Sequence, residues 1–222
     1  MNVGVSIKKM ELPNKKYNII YADPAWSIQY AKETKEGINT YDLPYNIMTD
    51  EDIINLPVKS ISDDNALLFL WIIDSRIPKV KEIMNAWGFE YVTVGFVWHK
   101  KAKSTKGENA ILSKYTRKSC EFCFIGRKGK CLVKNGTMPQ FISIPKREHS
   151  RKPDIIRNYI IKMCGDLPRI ELFARQKFEG WDVWGNEIPN HTQMLLPLDV
   201  KQEGGKGIHP TSKEVGILPN FL

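Results

Sequence analysis

The stretch Tyr17-Asn18-Ile19-Ile20-Tyr21-Ala22-Asp23-Pro24-Ala25-Trp26 decides how this 222-residue chain is interpreted. Its first six residues form a short apolar run rich in isoleucine and tyrosine, which predicts a buried strand over residues 17–22. Asp23-Pro24 ends the run, because Asp-Pro favours turns and proline cannot donate a strand hydrogen bond. The sequence therefore predicts a core strand that leads into a rigid turn.

The turn residues Asp23, Pro24, Ala25 and Trp26 contain three groups suited to holding the exocyclic amine of a nucleobase. The Asp23 carboxylate accepts one amine hydrogen, the Pro24 carbonyl accepts the other, and the Trp26 indole stacks on the base. With both hydrogens held, the nitrogen lone pair turns toward an electrophile, which is catalysis by positioning and electrostatics. The tetrapeptide alone is explained equally well as an ordinary strand-to-turn connection with a core tryptophan.

Length and composition bound the rest of the interpretation. With 42% hydrophobic residues the chain can bury one sizeable core, so we expect one domain over residues 1–188 and a polar, glycine-rich extension over 189–222. The longest apolar run, residues 66–73, is far shorter than the ~20 residues of a membrane span. Residues 1–16 lack the apolar core of a signal peptide. We therefore expect a cytoplasmic protein without membrane association.

The net charge of +8 indicates a polyanionic partner, usually nucleic acid. Basic residues concentrate between residues 100 and 118 and again between 146 and 152, although a solvated basic surface is the simpler alternative. Within the first of these stretches, Lys101, Lys103 and Lys106 are predicted to bind substrate. The four cysteines suit a reducing compartment. Because no fourth ligand accompanies Cys120, Cys123 and Cys131 at zinc-like spacing, we expect no metal.

Predicted strands and helices alternate along the chain. Strands are expected over residues 17–22, 66–73, 91–98, 121–125, 169–173 and 181–184, helices after Thr49 and over 75–87 and 153–163, loops over 27–48 and 100–118, and an irregular hairpin over 126–136. This alternation predicts an α/β fold with a mostly parallel central sheet. Ligands bind at the carboxyl ends of such strands, where Asp23 and Arg175 lie. No glycine-rich phosphate loop follows any predicted strand.

Several further segments match one known family in order. In that family the tetrapeptide reads Asp-Pro-Pro-Trp. The matching segments are residues 43–51, 68–71, 87–89, 97–98, 121 with 126–129, 150–154, 170–175 and 185–187. On these residues the chain resembles the N6-adenine methyltransferase family of the MT-A70 type, from about residue 17 to residue 188.

The resemblance implies a Rossmann-like methyltransferase with permuted strand order that uses S-adenosylmethionine. It implies that Asp23, Pro24, Ala25 and Trp26 form the catalytic motif and that Tyr45 closes over the target adenine. The residues that the resemblance assigns to the cofactor are Asp23, Lys152, Glu171, Leu172, Phe173, Arg175, Asn186 and Glu187.

Four positions depart from the family pattern. Ala25 replaces the second proline, Arg151 stands where histidine is common, and Lys177-Phe178 stand where His-Asn is common. From the residues alone, a structural ion pair of Glu171 with Arg169 or Arg175 is the less favoured alternative. Trp71, Trp87 and Trp98 are assigned to the core.

The expected activity is methylation of adenine N6, with DNA preferred to RNA because the chain is short and rich in lysine and isoleucine. Three alternatives stay open: an RNA adenosine methyltransferase, a cytosine N4 methyltransferase, and a non-catalytic nucleic-acid-binding subunit. A homodimer, or a heterodimer with a related subunit, is also expected.

Overall fold

The strand that opens the sequence motif is an interior strand of the sheet in the computed structural model. The structure describes residues 11–26, 32–34, 37–39, 48–101, 115–146, 151–186 and 188. The strands are β1 (Tyr17–Ala22), β2 (Lys32–Thr34), β3 (Gly37–Asn39), β4 (Ser62–Ile72), β5 (Glu90–Lys101), β6 (Cys120–Lys128), β7 (Phe141–Pro145), β8 (Arg169–Leu172) and β9 (Asp182–Trp184). The helices are α1 (Asp50–Ile54), α2 (Val58–Ile61), α3 (Val80–Ala86) and α4 (Ile155–Cys164), with a 3₁₀ turn over Asp74–Lys79.

Seven strands pair in the order β7-β5-β6-β4-β1-β8-β9. Only β6 in this sheet runs against its neighbours, so the other six strands point the same way. The first strand of the chain thus lies between β4 and the late strand β8. This mostly parallel sheet confirms the expected α/β, Rossmann-like methyltransferase fold, and β2 and β3 form a separate two-stranded hairpin.

Helices cover both faces of the sheet, and each face has its own apolar cluster. On one face, Ile20 and Leu68 pack with Ile83 and Trp87 of the α3 region. On the other face, Phe69 packs in a cluster with residues of α4 such as Ile156 and Ile160. Because β1 is covered on both sides, it is apolar at nearly every position instead of alternating.

The predicted helix start at Thr49 is confirmed in detail. The Thr49 hydroxyl accepts from the Asp52 backbone N–H, and the Asp52 carboxylate accepts from the Thr49 backbone N–H, which is a complete capping box. Nearby, the Trp87 indole donates to the Ile53 carbonyl at 2.9 Å and ties α1 to α3.

Several predicted boundaries were wrong. The helix expected over 75–87 begins as a 3₁₀ turn and becomes α-helical only at Val80, after Pro78. The hairpin expected over 126–136 is partly the end of β6, which pairs with β4 through Lys128. Strand β7 was missed, since its five residues are partly exposed and end in proline. The strand expected over 91–98 extends to Lys101 because β7 pairs with its last residues.

Candidate active site

The sheet brings the predicted site residues to one edge. Asp23 follows β1 and Phe173 follows β8, and these two strands are parallel neighbours. Strand β6 is antiparallel to β4, so its first residues, including Glu121, start from this same edge. Lys152 reaches the edge from the segment ahead of α4. The arrangement agrees with the rule that ligands bind at the carboxyl ends of parallel strands.

The turn after β1 is stabilised by its own backbone. The Trp26 N–H donates to the Pro24 carbonyl at 2.9 Å, and the Met48 N–H donates to the Ala25 carbonyl at 2.9 Å. The Pro24 carbonyl keeps a second lone pair for another donor. Trp26 is only 4% exposed and packs with the first apolar cluster. Its predicted role in stacking on a base therefore stays a prediction.

Asp23 is the acidic end of a chain of four alternating charges. The Lys152 ammonium lies 2.8 Å from both Asp23 carboxylate oxygens and 3.0 Å from Glu121 Oε2. Lys100 forms an ion pair with the other oxygen of Glu121. We call Lys100, Glu121, Lys152 and Asp23 the lysine chain. Its residues come from β5, β6, the segment before α4, and the end of β1.

The ion pairs of the lysine chain oppose the effect of burial on the pKa values of its buried groups. Burial raises the pKa of Asp23 above its ordinary value, and Lys152 opposes that rise. Burial disfavours the charged form of Lys152, but Asp23 and Glu121 more than offset this and hold its pKa above the ordinary lysine value. For Glu121, burial is outweighed by Lys152 and Lys100, which lower the pKa of the carboxyl. Lys152 is consequently a permanent cation beside Asp23 and not a proton acceptor.

Two tryptophans predicted to be core residues contact the ammonium groups of the lysine chain with their rings. Lys152 Nζ lies 5.4 Å from the ring centroid of Trp71, and Lys100 Nζ lies 5.7 Å from that of Trp98. Trp71 donates from Nε1 to the Tyr21 hydroxyl at 2.8 Å, which fixes the indole. Both indoles are buried as expected, and each also places an aromatic face within cation–π range of a lysine.

A second charged cluster lies on the other side of β1. Arg157 donates from Nε and NH2 to the two carboxylate oxygens of Glu171 at 2.7 and 2.6 Å. Arg157 NH1 also donates to Asp154, which accepts from Arg151 as well. We call Arg151, Asp154, Arg157 and Glu171 the arginine cluster. The ring of Phe178 lies 3.6 Å from the guanidinium carbon of Arg157.

Sequence reasoning missed the partner of Glu171. An ion pair at Glu171 was anticipated with Arg169 or Arg175, but the structure places Arg157 there, and Arg169 pairs with Asp166. Arg157 was counted only as part of a predicted helix. Its position offered a signal, since it is a charged residue among the buried positions of α4.

The two clusters border one cleft of about 390 Å³. It is lined by Asp23, Arg151, Lys152, Arg157, Glu171, Phe173, Arg175 and Gln176. Four cations and two carboxylates face one another across it, next to an aromatic ring. A zwitterionic ligand that carries a cation, a carboxylate and an aromatic base fits such a lining.

The remaining predicted site residues have different placements. Leu172 is fully buried in β8, Asn186 is exposed just after β9, and Lys101 is exposed at the end of β5. Gly185, next to Asn186, has no room for a side chain, because an added Cβ would lie 2.1 Å from the Ala174 carbonyl. The predicted positions that lie outside the described residues are Tyr45, Lys103, Lys106 and Glu187.

Within the described ranges, no three His, Cys, Asp or Glu side chains are grouped in a way that would hold a metal ion. None of the helices described is both long and apolar enough to span a membrane.

Comparison with known proteins assigns the chain to a family. The family model MT-A70 matches residues 17–187. The chain belongs to the MT-A70 family. The resemblance expected from the ordered motifs is thereby confirmed, and so is the enzyme class: an adenine N6-methyltransferase.

The relatives differ in the share of their own length that this chain covers. The Type II methyltransferase M.MunI of Mycoplasma sp is 36% identical over 197 residues, with 82% of each chain covered. A probable N(6)-adenosine-methyltransferase MT-A70-like of Oryza sativa subsp. japonica is 29% identical over 178 residues, 78% of this chain and 23% of that protein. Human METTL3, an N(6)-adenosine-methyltransferase catalytic subunit, is 28% identical over 180 residues, 78% of this chain and 28% of that protein.

Proposed function

We propose that this enzyme transfers a methyl group from S-adenosylmethionine to the exocyclic N6 of adenine in nucleic acid, with DNA preferred to RNA. The observation that carries the proposal is the placement of Asp23. Its carboxylate lies at the carboxyl end of the central strand, accepts two hydrogen bonds from Lys152 and lines the cleft. Each carboxylate oxygen retains a lone pair that can accept an amine hydrogen.

The donor set of the cleft supports S-adenosylmethionine as the cofactor. Asp23 and Glu171 are anions suited to its ammonium and sulfonium charges, Arg151 and Arg175 are cations suited to its carboxylate, and Phe173 is suited to its adenine. When bound, this cofactor supplies an electrophilic methyl group. The further assignments of Leu172, Asn186 and Glu187 to the cofactor remain proposals from the resemblance.

The chain's own residues are assigned the following roles. Asp23 and the Pro24 carbonyl accept the two hydrogens of the target amine and direct its lone pair. Lys152 keeps Asp23 oriented and ionised. Trp26 and Tyr45 are proposed to hold the adenine between aromatic faces, which for a duplex requires that the base be flipped out of the stack.

The proposal of DNA as the target rests on a relative. This chain matches the type II methyltransferase over 82% of each length, whereas it covers 23% and 28% of the two adenosine methyltransferases. The net charge of +8 suits a polyanion, and Lys101, Lys103 and Lys106 are proposed to contact phosphates. Association with a second copy or a related subunit, and the division into a domain over 1–188 and an extension over 189–222, also remain proposals.

The test is methyl transfer from labelled S-adenosylmethionine to duplex DNA, single-stranded DNA and RNA of one sequence, followed by digestion and identification of nucleosides by mass. We expect N6-methyladenine, most of it in DNA, and its loss in Asp23→Ala. Asp64→Ala, an exposed carboxylate near the far end of β4, is the matched control and should retain activity.

Four outcomes would contradict parts of the proposal. Product mainly in RNA would overturn the DNA preference, and N4-methylcytosine would overturn the target base. Full activity of Asp23→Ala would overturn the mechanism. Absence of product and of S-adenosylmethionine binding, measured by calorimetry, would favour a non-catalytic subunit.

A further inference from the structure

The lysine chain extends well beyond the groups that the proposed mechanism uses. In sheet order β5-β6-β4-β1 it runs from Lys100 on β5 through Glu121 on β6, passes over Trp71 of β4, and ends at Asp23 after β1. Two of its four members, Lys100 and Glu121, line no part of the cleft. They nevertheless bury two charges beside the site, with only 8% and 16% of their side chains exposed.

Lys152 divides its hydrogen bonds between two carboxylates. An ammonium has three N–H donors, and Lys152 has three acceptors in range: both oxygens of Asp23 and Glu121 Oε2. Its charge is therefore shared, and Glu121 determines how fully Asp23 is neutralised. Lys100 in turn neutralises the other Glu121 oxygen and so limits how strongly Glu121 attracts Lys152.

We propose that Glu121 and Lys100 are positioning residues, which set the place of Lys152 and through it the orientation and charge of Asp23 in the methyl transfer. This inference rests on the proposed function of Asp23. It explains why two buried charges are retained at a distance from the cleft, where burial without partners would be costly. It also predicts that the effect of Lys100 on the site depends on Glu121, because Lys100 contacts Glu121 and Glu121 contacts Lys152.

Removal of either residue disturbs Asp23 in a different way. In Glu121→Gln, Lys152 has one anionic partner left and moves onto Asp23, which becomes a weaker acceptor for the target amine. In Lys100→Met, Glu121 loses its counter-charge and draws Lys152 away from Asp23. Both changes alter the group that directs the amine, so both reduce kcat, whereas the other residues proposed to hold the cofactor, among them Arg151, Arg175 and Phe173, are left in place.

The experiment compares Glu121→Gln, Lys100→Met and the double variant by steady-state kinetics on the preferred substrate of the wild-type enzyme. We expect kcat to fall by roughly 10- to 100-fold in Glu121→Gln, the scale of a misplaced catalytic geometry, with KM for S-adenosylmethionine little changed. Lys100→Met should also lower kcat, and Lys100→Arg should restore most of it. In the Glu121→Gln background, adding Lys100→Met should have no further effect.

Controls separate this inference from stability and from the proposed function. Lys128→Met makes the same substitution on β6 at the opposite end of the sheet, where Lys128 donates to Ser62, and should leave kcat unchanged. If Lys100→Met does not fold, the double variant still tests whether Lys100 acts through Glu121, because it removes both buried charges together. Full activity of Asp23→Ala would refute the proposed function.

Three results would overturn the inference alone. With Asp23→Ala inactive, an unchanged kcat in both single variants would show that the lysine chain is purely structural. A double variant in which the two losses multiply would show that Lys100 does not act through Glu121. A loss expressed only in KM for the cofactor would place the residues in cofactor binding instead and would equally contradict the inference.

Discussion

The lysine chain and the arginine cluster both hold a carboxylate at the edge of the sheet, but they hold it differently. In the arginine cluster, Glu171 is fixed by a two-pronged guanidinium, and both side chains are 8% exposed. In the lysine chain, Asp23 is held by a single ammonium that it shares with Glu121, and its side chain is 24% exposed. A planar fork fixes geometry, whereas an ammonium is a point charge on a flexible stem.

The difference separates a carboxylate that is held in a fixed geometry from one whose partner can adjust. The carboxylate inside β8 is held rigidly because the strand buries it. The Asp23 carboxylate after β1 lines the cleft, and its partner Lys152 has a flexible side chain that can adjust. The two regions should therefore respond differently to loss of their cations, the arginine cluster mainly in stability and the lysine chain mainly in activity.

The largest effect is expected in the arginine cluster. Arg157→Met leaves the Glu171 carboxylate buried without its counter-charge, and we expect a loss of about 3–5 kcal/mol of unfolding free energy. Urea denaturation at neutral pH measures it. Arg127→Met breaks an exposed pair with Glu90 and is the control, with an expected loss of at most about 1 kcal/mol.

A second substitution sharpens this prediction. Adding Glu171→Met to Arg157→Met removes the stranded charge, so most of the lost stability should return. A double variant as unstable as Arg157→Met would show that packing of Arg157 on Phe178, and not the unpaired carboxylate, causes the loss.

The next largest effect is expected in the lysine chain. Lys152→Met removes the cation that orients Asp23, and we expect kcat to fall by roughly 100-fold or more, the cost of removing one preorganised electrostatic group. Rates are measured well below the melting temperature of the variant. Lys162→Met, an exposed lysine in the last turn of α4, is the control and should keep full activity. Wild-type rates in Lys152→Met would remove the distinction between the two regions.

The pH dependence of activity is a further test of the lysine chain. Asp23 must be ionised to accept the amine hydrogens, and burial raises its pKa above the ordinary 3.8 despite Lys152. Activity should thus be complete above the pKa of Asp23 and fall about tenfold per pH unit below it, with the acid limb above pH 3.8. The pKa of Lys152 lies above its ordinary 10.5. Deprotonation of Lys152 should therefore cause no loss of activity below pH 10.5. Profiles of kcat/KM against pH measure both limbs.

How far the sequence predicts these two regions depends on whether the signal is local. Strand β1, the turn at Asp23 and the cap at Thr49 follow from neighbouring residues, and all three were predicted correctly. Lys152 was assigned through the resemblance alone, since it meets Asp23 across 129 positions of the chain. The roles of Lys100, Glu121 and Arg157 were missed because buried ion pairs depend on which strands become neighbours. Strand β7 was missed for the same reason.

The smallest effect is expected just outside the lysine chain, at Lys101. Adjacent side chains of a strand point to opposite sides, so Lys100 is buried and paired whereas Lys101 is exposed. If Lys101 contacts a phosphate, Lys101→Ala should weaken duplex DNA binding modestly and reduce the slope of log K against log salt by about 1. Fluorescence anisotropy over a series of salt concentrations measures the slope.

The control is Lys130→Ala, an exposed lysine just past the end of β6 at the opposite edge of the sheet, which should leave the slope unchanged. An identical slope in wild type and Lys101→Ala would make Lys101 part of a solvated surface, whereas a loss of affinity that does not depend on salt would indicate a contact other than phosphate.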